Sequence, residues 1–127
     1  MGKKLRIEIT DAELAILEKL WEHGEQTVGS IAEKLYPSGT TAEYATVQTL
    51  LLRLEKKGGI VRDRSARAHV FRASVERGDL IGSHLQNMAD KLCGGSLVPV
   101  VTHLVKGASL KANERKALRK LLEDLES

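Results

Sequence analysis

Aromatic side chains make up only 3% of this 127-residue chain, and its one cysteine, Cys93, has no second thiol to pair with. An interior must therefore be built from Leu, Ile, Val and Ala, with no internal disulfide to staple it. A lone cysteine fits a reducing cytosol. Long apolar runs are missing too: nothing approaches the ~20 residues of a membrane-spanning helix, and no signal-peptide core follows the basic start. The longest candidate, Ser96 to Val105, is short and is interrupted by Pro99 and His103. The expectation is a soluble, cytoplasmic protein with no membrane partner.

Catalytic and cofactor signatures are also lacking. No GxxxxGK[ST], GxGxxG or GxSxG occurs, so phosphate cradles and nucleophile elbows have no support. The four histidines show no HExxH or HxxxH spacing and no CxxC accompanies them, so no metal site is expected. His23 falls in the last turn of a helix, where a cation meets the helix dipole. His69 lies among arginines, and His84 and His103 in helical or apolar surroundings. The chain reads as a non-enzyme without a cofactor.

What is present is an aliphatic, strongly patterned sequence: 42% hydrophobic and 29% charged, with a net charge of +3. That length and balance suit one ordinary domain, or a small domain with an oligomerisation arm. Thr10 stands three residues before Glu13, the spacing of a capping box, ahead of Leu14, Leu17, Leu20 and Trp21 at helical intervals. Gly24 closes that segment. Val28, Ile31, Ala32 and Leu35 mark a second helix ended by Pro37, and the stretch from Thr41 to Lys57 marks a third, closed by Gly58-Gly59 with φ > 0 expected at both. The period then shortens. Ile60, Val61, Val70 and Phe71 flank a polar turn near Ser65 to Arg67, as in a β-hairpin. Helix, helix, helix, basic hairpin is the order of a winged helix, a helix-turn-helix variant. The remainder is helical, with Ile81, Leu85, Met88 and Leu92 forming a narrow stripe and Leu118, Leu121, Leu122 and Leu125 another. The expected architecture is mainly α with a small β-hairpin wing: a winged-helix domain over residues 1–74 and a helical dimerisation region over 75–127. Leu85, Met88, Val101, Leu104, Leu118, Leu121, Leu122 and Leu125 are its candidate contacts.

Charge is unevenly placed. Between Arg53 and Arg72 seven cations face two acids, Glu55 and Asp63, a local excess larger than that of the whole chain. Lys3, Lys4 and Arg6 add a second patch. Clustered cations release counterions from a phosphate backbone, although a charged hairpin can equally be a solvated surface. The third helix tilts the balance. Val47, Leu50, Leu51 and Leu54 form its packing face, leaving Ala42, Thr46, Thr49 and Arg53 on the other side, with Tyr44 and Ala45 near the start. Small and hydroxyl side chains permit close approach to a DNA groove, and Arg53 can reach phosphate or a guanine edge. Gln48 lies to the side, where its partner is either an adenine or only water. Leu52 also points outward, and a neighbouring element is expected to cover part of it.

Three segments carry a family resemblance: "ITDAELAILEKLWEHGEQTV", "TVQTLLLRLEKKGGIV" and "RDRSARAHVFRAS". With their long T-V-x-T-L-x-x-R-L-x-x-K-G pattern, the chain from Ile9 to Leu125 resembles the bacterial penicillinase-repressor family, which includes β-lactamase, methicillin-resistance and copper-responsive repressors. The resemblance implies a homodimeric winged-helix transcriptional repressor on a pseudo-palindromic, double-stranded DNA operator, with the third helix in the major groove. Thr46, Thr49 and Arg53 match the family's DNA-facing positions and Arg64 and Arg67 its wing; Tyr44 and Lys56 complete the candidate interface. Two features depart from the family. The copper-responsive branch carries a C-terminal cysteine cluster, absent from "LRKLLEDLES". The β-lactam-responsive branch is cut at an Asn–Phe bond by a sensor protease, whereas "LVPVVTHLVKG" offers His103-Leu104 near that place. The alternative is a winged-helix protein–protein adapter that does not bind DNA.

Overall fold

The computed structural model describes residues 7–107 and 110–126. They form, in chain order, α1 (Asp11–His23), α2 (Val28–Leu35), α3 (Thr41–Lys57), β1 (Ile60–Asp63), β2 (Val70–Ala73), α4 (Arg77–Leu92), α5 (Val98–Gly107) and α6 (Ala112–Glu126). The mainly helical chain with one hairpin is the winged-helix order expected from the sequence. Lys3, Lys4 and Arg6 lie outside the described residues. No described helix is long and apolar enough to cross a membrane.

Local chemistry accounts for the helix boundaries. Thr10 and Glu13 form the capping box: the Glu13 amide donates to Thr10 Oγ1 (3.2 Å) and the Thr10 amide to Glu13 Oε1 (2.9 Å). Two of the N–H groups left unpaired at the start of α1 are thereby satisfied. Thr40 and Glu43 repeat the device at α3. Thr27 caps α2 through the Ser30 amide, and that helix stops at Leu35, short of Pro37. The two glycines after α3 differ in role. Gly58 takes the left-handed conformation (φ 85°) that ends the helix. Gly59 does not have positive φ, contrary to expectation; it is small for packing reasons, because a Cβ there would lie 3.2 Å from Leu54 Cδ2 and 3.5 Å from Ile7 Cδ1.

The chain divides into two compact units, parting between His84 and Leu85 inside α4. In the first, Ile16, Leu17 and Leu20 of α1, Ile31 of α2 and Val47, Leu50, Leu51 and Leu54 of α3 bury one aliphatic core, joined by Ile60, Phe71, Val75 and Leu80. The hairpin pairs Ile60 with Ala73 and Asp63 with Val70. Gln26 bridges to β2 from outside the hairpin, its backbone exchanging bonds of 3.0 and 2.8 Å with Phe71. The opening half of α4 belongs to this unit. Leu80 is in its core, and the Ser83 hydroxyl accepts from the Ile7 amide (2.9 Å) and donates to the Ile7 carbonyl (3.0 Å). The lone tryptophan fastens the chain just before α4: Trp21 Nε1 donates to the Val75 carbonyl at 2.9 Å, under the Arg77 guanidinium, 4.7 Å from the ring centroid. The boundary expected from the sequence follows residue 74; these contacts tie Val75, Leu80 and Ser83 to the first unit.

The second unit comprises the rest of α4 with α5 and α6. Pro99 does not break α5, since it sits in the first turn, where its missing N–H is not needed. The apolar side chains of this unit are conspicuously uncovered: Leu85 and Met88 of α4, Val101 and Leu104 of α5, and Leu121, Leu122 and Leu125 of α6 are all exposed, Leu125 at 80%, while Val100 and Leu118 are half-buried.

Candidate nucleic-acid interface

The packing of α3 decides which of its residues face outward. Val47, Leu50, Leu51 and Leu54 are buried, which turns Ala42, Ala45, Thr46, Thr49, Arg53 and Lys56 to solvent. Tyr44 is also exposed, at the edge where α3 meets α2 and the wing. The wing residues Arg64 and Arg67 are exposed on the loop between β1 and β2. An open cleft of about 490 Å³ between the start of α2 and the wing brings Tyr44, Gln48, Arg67 and His69 onto one side of the first unit. The sequence-derived set of Tyr44, Thr46, Thr49, Arg53, Lys56, Arg64 and Arg67 thus lies on α3 and the adjoining wing, all at the surface.

The cations of this region divide into two kinds. Lys57 is structural: its ammonium donates to Glu13 Oε1 (2.6 Å) and to the Glu8 carbonyl (2.8 Å). Glu13 is fully buried, and burial by itself raises a carboxyl pKa. The Lys57 ammonium and the Thr10 amide outweigh that, and the net result is a Glu13 pKa below its ordinary value. Arg62 is structural as well. It bonds Glu55 Oε1 of α3 (3.0 Å), lies 4.8 Å from the Phe71 ring centroid and approaches His69 Nδ1 at 3.4 Å. Glu55 also reaches Arg64 at 3.8 Å, so one carboxylate ties the wing to α3. Among the described residues no ion pair involves Arg53, Lys56 or Arg67. The turn of the wing is shaped by Asp63, whose carboxylate accepts from the Ser65 amide (2.8 Å) and is held below its usual pKa chiefly by hydrogen bonds from Ser65.

The assignments of Lys57 and Arg62 required knowing their partners, 44 and 7 residues away. The second capping box, at Thr40 and Glu43, has its sequence signature in "TTAE". Leu52 remains 56% exposed, at the lip of a small cleft shared with Gln48, Thr49 and Arg62. His103 and Leu104 lie in α5, both exposed. Among the described residues no three His, Cys, Asp or Glu side chains gather closely enough to hold a metal ion.

A family model described as "Penicillinase repressor" matches residues 9–124. The chain is 26% identical to the penicillinase repressor of Bacillus licheniformis, over 92% of this chain and 91% of that protein. It is 34% identical to the transcriptional regulator BlaI of Mycobacterium tuberculosis, over 92% and 84% respectively. The fold is similar to the solution structure of the DNA-binding domain of the repressor BlaI, at a TM-score of 0.50 and 30% identity, over 62% of this chain and 93% of that one.

Proposed function

The chain belongs to the penicillinase repressor family, and on that premise we propose that it is a sequence-specific DNA-binding transcriptional repressor. The observation that carries the reading is the seating of α3. Four buried aliphatic side chains fix the helix, and that fixing presents Thr46, Thr49 and Arg53 outward beside the uncommitted cations Lys56 and Arg67. In this reading α3 enters the major groove, Arg53 contacts a guanine edge or a phosphate, and Lys56, Arg64 and Arg67 track the flanking backbone. Tyr44 contacts the backbone at the start of the helix. Phosphate contacts position the protein while the α3 side chains read sequence.

The repressor acts as a homodimer. Leu85, Met88, Val101, Leu104, Leu118, Leu121, Leu122 and Leu125 provide the apolar surface that a second copy covers, each Å² of it contributing about 25 cal/mol. Two reading units bind two half-sites of a pseudo-palindrome, about one helical turn of DNA apart. Induction by a sensor protease fits the same arm, with the exposed His103-Leu104 bond as the site of the cut. Because that bond lies within α5, a protease has to unwind part of the helix to reach it.

Binding measured on duplexes enriched from a random pool tests the reading. The logarithm of the association constant falls with log salt by about 0.9 per phosphate neutralised. Arg53→Ala costs about 1–3 kcal/mol and relaxes preference at one base pair. Unchanged binding by that variant would remove Arg53 from the interface. Salt-insensitive, sequence-blind association would favour the adapter alternative.

A further inference from the structure

The outward face of α3 is more apolar than its two threonines suggest. Thr46 Oγ1 donates to the Ala42 carbonyl at 3.0 Å and Thr49 Oγ1 to the Ala45 carbonyl at 3.1 Å. A hydroxyl has a single hydrogen, and here it is committed inside the helix. What each threonine offers an outside partner is therefore a methyl group and an acceptor, not a donor. Beside them stand the methyls of Ala42 and Ala45 and the side chain of Leu52, 56% exposed.

Helix geometry places Leu52 centrally. At about 100° per residue, Ala45, Thr49, Leu52 and Lys56 fall within about 60° of one another, opposite the midline of Val47, Leu50, Leu51 and Leu54. Thr46 and Arg53 lie on the flank of that strip. Leu52 is one turn on from Gln48, and the two line the same small cleft with Ala45 and Thr49. Covering Leu52 against the core would require turning α3 and exposing its buried face, so it stays open to an outside group.

We infer that Leu52, with Ala45 and the Thr49 methyl, packs on the C5-methyl group of a thymine in the operator, and that Gln48 reads an adenine alongside. This deepens the repressor reading and rests on it. In the major groove thymine alone presents a methyl, and an apolar side chain is its complement; a Gln amide pairs with adenine N6 and N7. The occupant is DNA because the strip is bordered by uncommitted cations, Arg53 and Lys56 on α3 and Arg67 on the wing, the charge pattern of a phosphate-lined groove. Four residues of helix rise span about 6 Å, roughly two base-pair steps, so the adenine and the thymine lie about two steps apart in the same half-site.

The test uses the full-length protein and duplexes enriched by it from a random pool. Each thymine of a half-site is replaced singly by uracil, which removes only the methyl. For the wild type, at least one replacement weakens binding about fourfold, the worth of one buried methyl. Leu52→Ala binds the thymine duplex correspondingly less tightly and shows no further loss on uracil at that position. Leu52→Met, which keeps an apolar contact, retains the discrimination. Thermal melting confirms that both exposed-site variants remain folded. If Leu52→Ala keeps the wild-type thymine-to-uracil ratio at every position, the inference is overturned. If the wild type enriches no sequence at all, the repressor reading falls, and this one with it.

Discussion

At the scale of single residues, the contact with the largest consequence is between Glu13 and Lys57, which joins the first turn of α1 to the last turn of α3 at 2.6 Å. Glu13→Gln keeps a group able to accept from the Thr10 amide but leaves Lys57 without its anion, and should destabilise the fold by about 1–3 kcal/mol in urea unfolding. The sign of the pH dependence follows from the lowered Glu13 pKa. A carboxylate whose folded pKa lies below its unfolded value contributes stability in full above about 4.5 and loses it as pH falls through the lower folded value. The wild type should therefore lose stability on acidification more steeply than Glu13→Gln in that window. A difference independent of pH would contradict the assignment. The sequence displayed Glu13 as half of a capping box but could not display Lys57 beside it, because the pairing depends on how α1 and α3 cross. For the same reason Thr46 and Thr49 were legible as outward-facing, while the direction of their hydroxyl hydrogens was not.

Among the secondary-structure elements, α3 and its exit show how far periodicity alone can reach. The spacing of Val47, Leu50, Leu51 and Leu54 predicts the buried face, and all four are buried. The pair Gly58-Gly59 reads as a helix stop, yet only the first glycine is one. The second is constrained by the side chains of Leu54 and Ile7, a long-range contact with no local signature. The two should separate experimentally. Gly58→Asn, which tolerates the left-handed conformation, should cost little. Gly59→Asn forces atoms into the core and should cost about 1–3 kcal/mol, or more if Leu54 cannot yield. Equal thermal shifts for the two variants would contradict the division of roles. Likewise the hairpin was visible as two β-rich runs, but the bridge to it was not: Gln26 contributes backbone to Phe71 from a position that looks like an ordinary loop. Truncating Phe71 to Ala should cost about 3–5 kcal/mol, since its ring is buried in the core under Arg62.

For the whole molecule, the two units differ in what they leave uncovered. The first buries an aliphatic core and gathers cations between Arg53 and Arg72; the second leaves leucines and valines in the open among its own charged residues. That contrast was legible in the sequence as a basic excess followed by leucine stripes, whereas the dividing point inside α4 was set by Leu80, Ser83 and Trp21 contacts that no stripe announces. Under the dimer proposal, Leu121→Glu with Leu125→Glu should yield a monomer in sedimentation. Its affinity for a two-half-site duplex should fall toward that for a single half-site, since the gain from linked binding disappears while each reading unit is untouched. Unchanged sedimentation would place the dimer contact elsewhere. The central claim, that a winged helix seated by its core reads a defined operator, is tested most directly by one competition. Labelled duplex enriched by the protein is displaced by unlabelled enriched duplex or by unrelated duplex, at fixed physiological salt. The account predicts that the enriched duplex competes about a thousandfold or more better. Competition by both duplexes at equal concentration would contradict it.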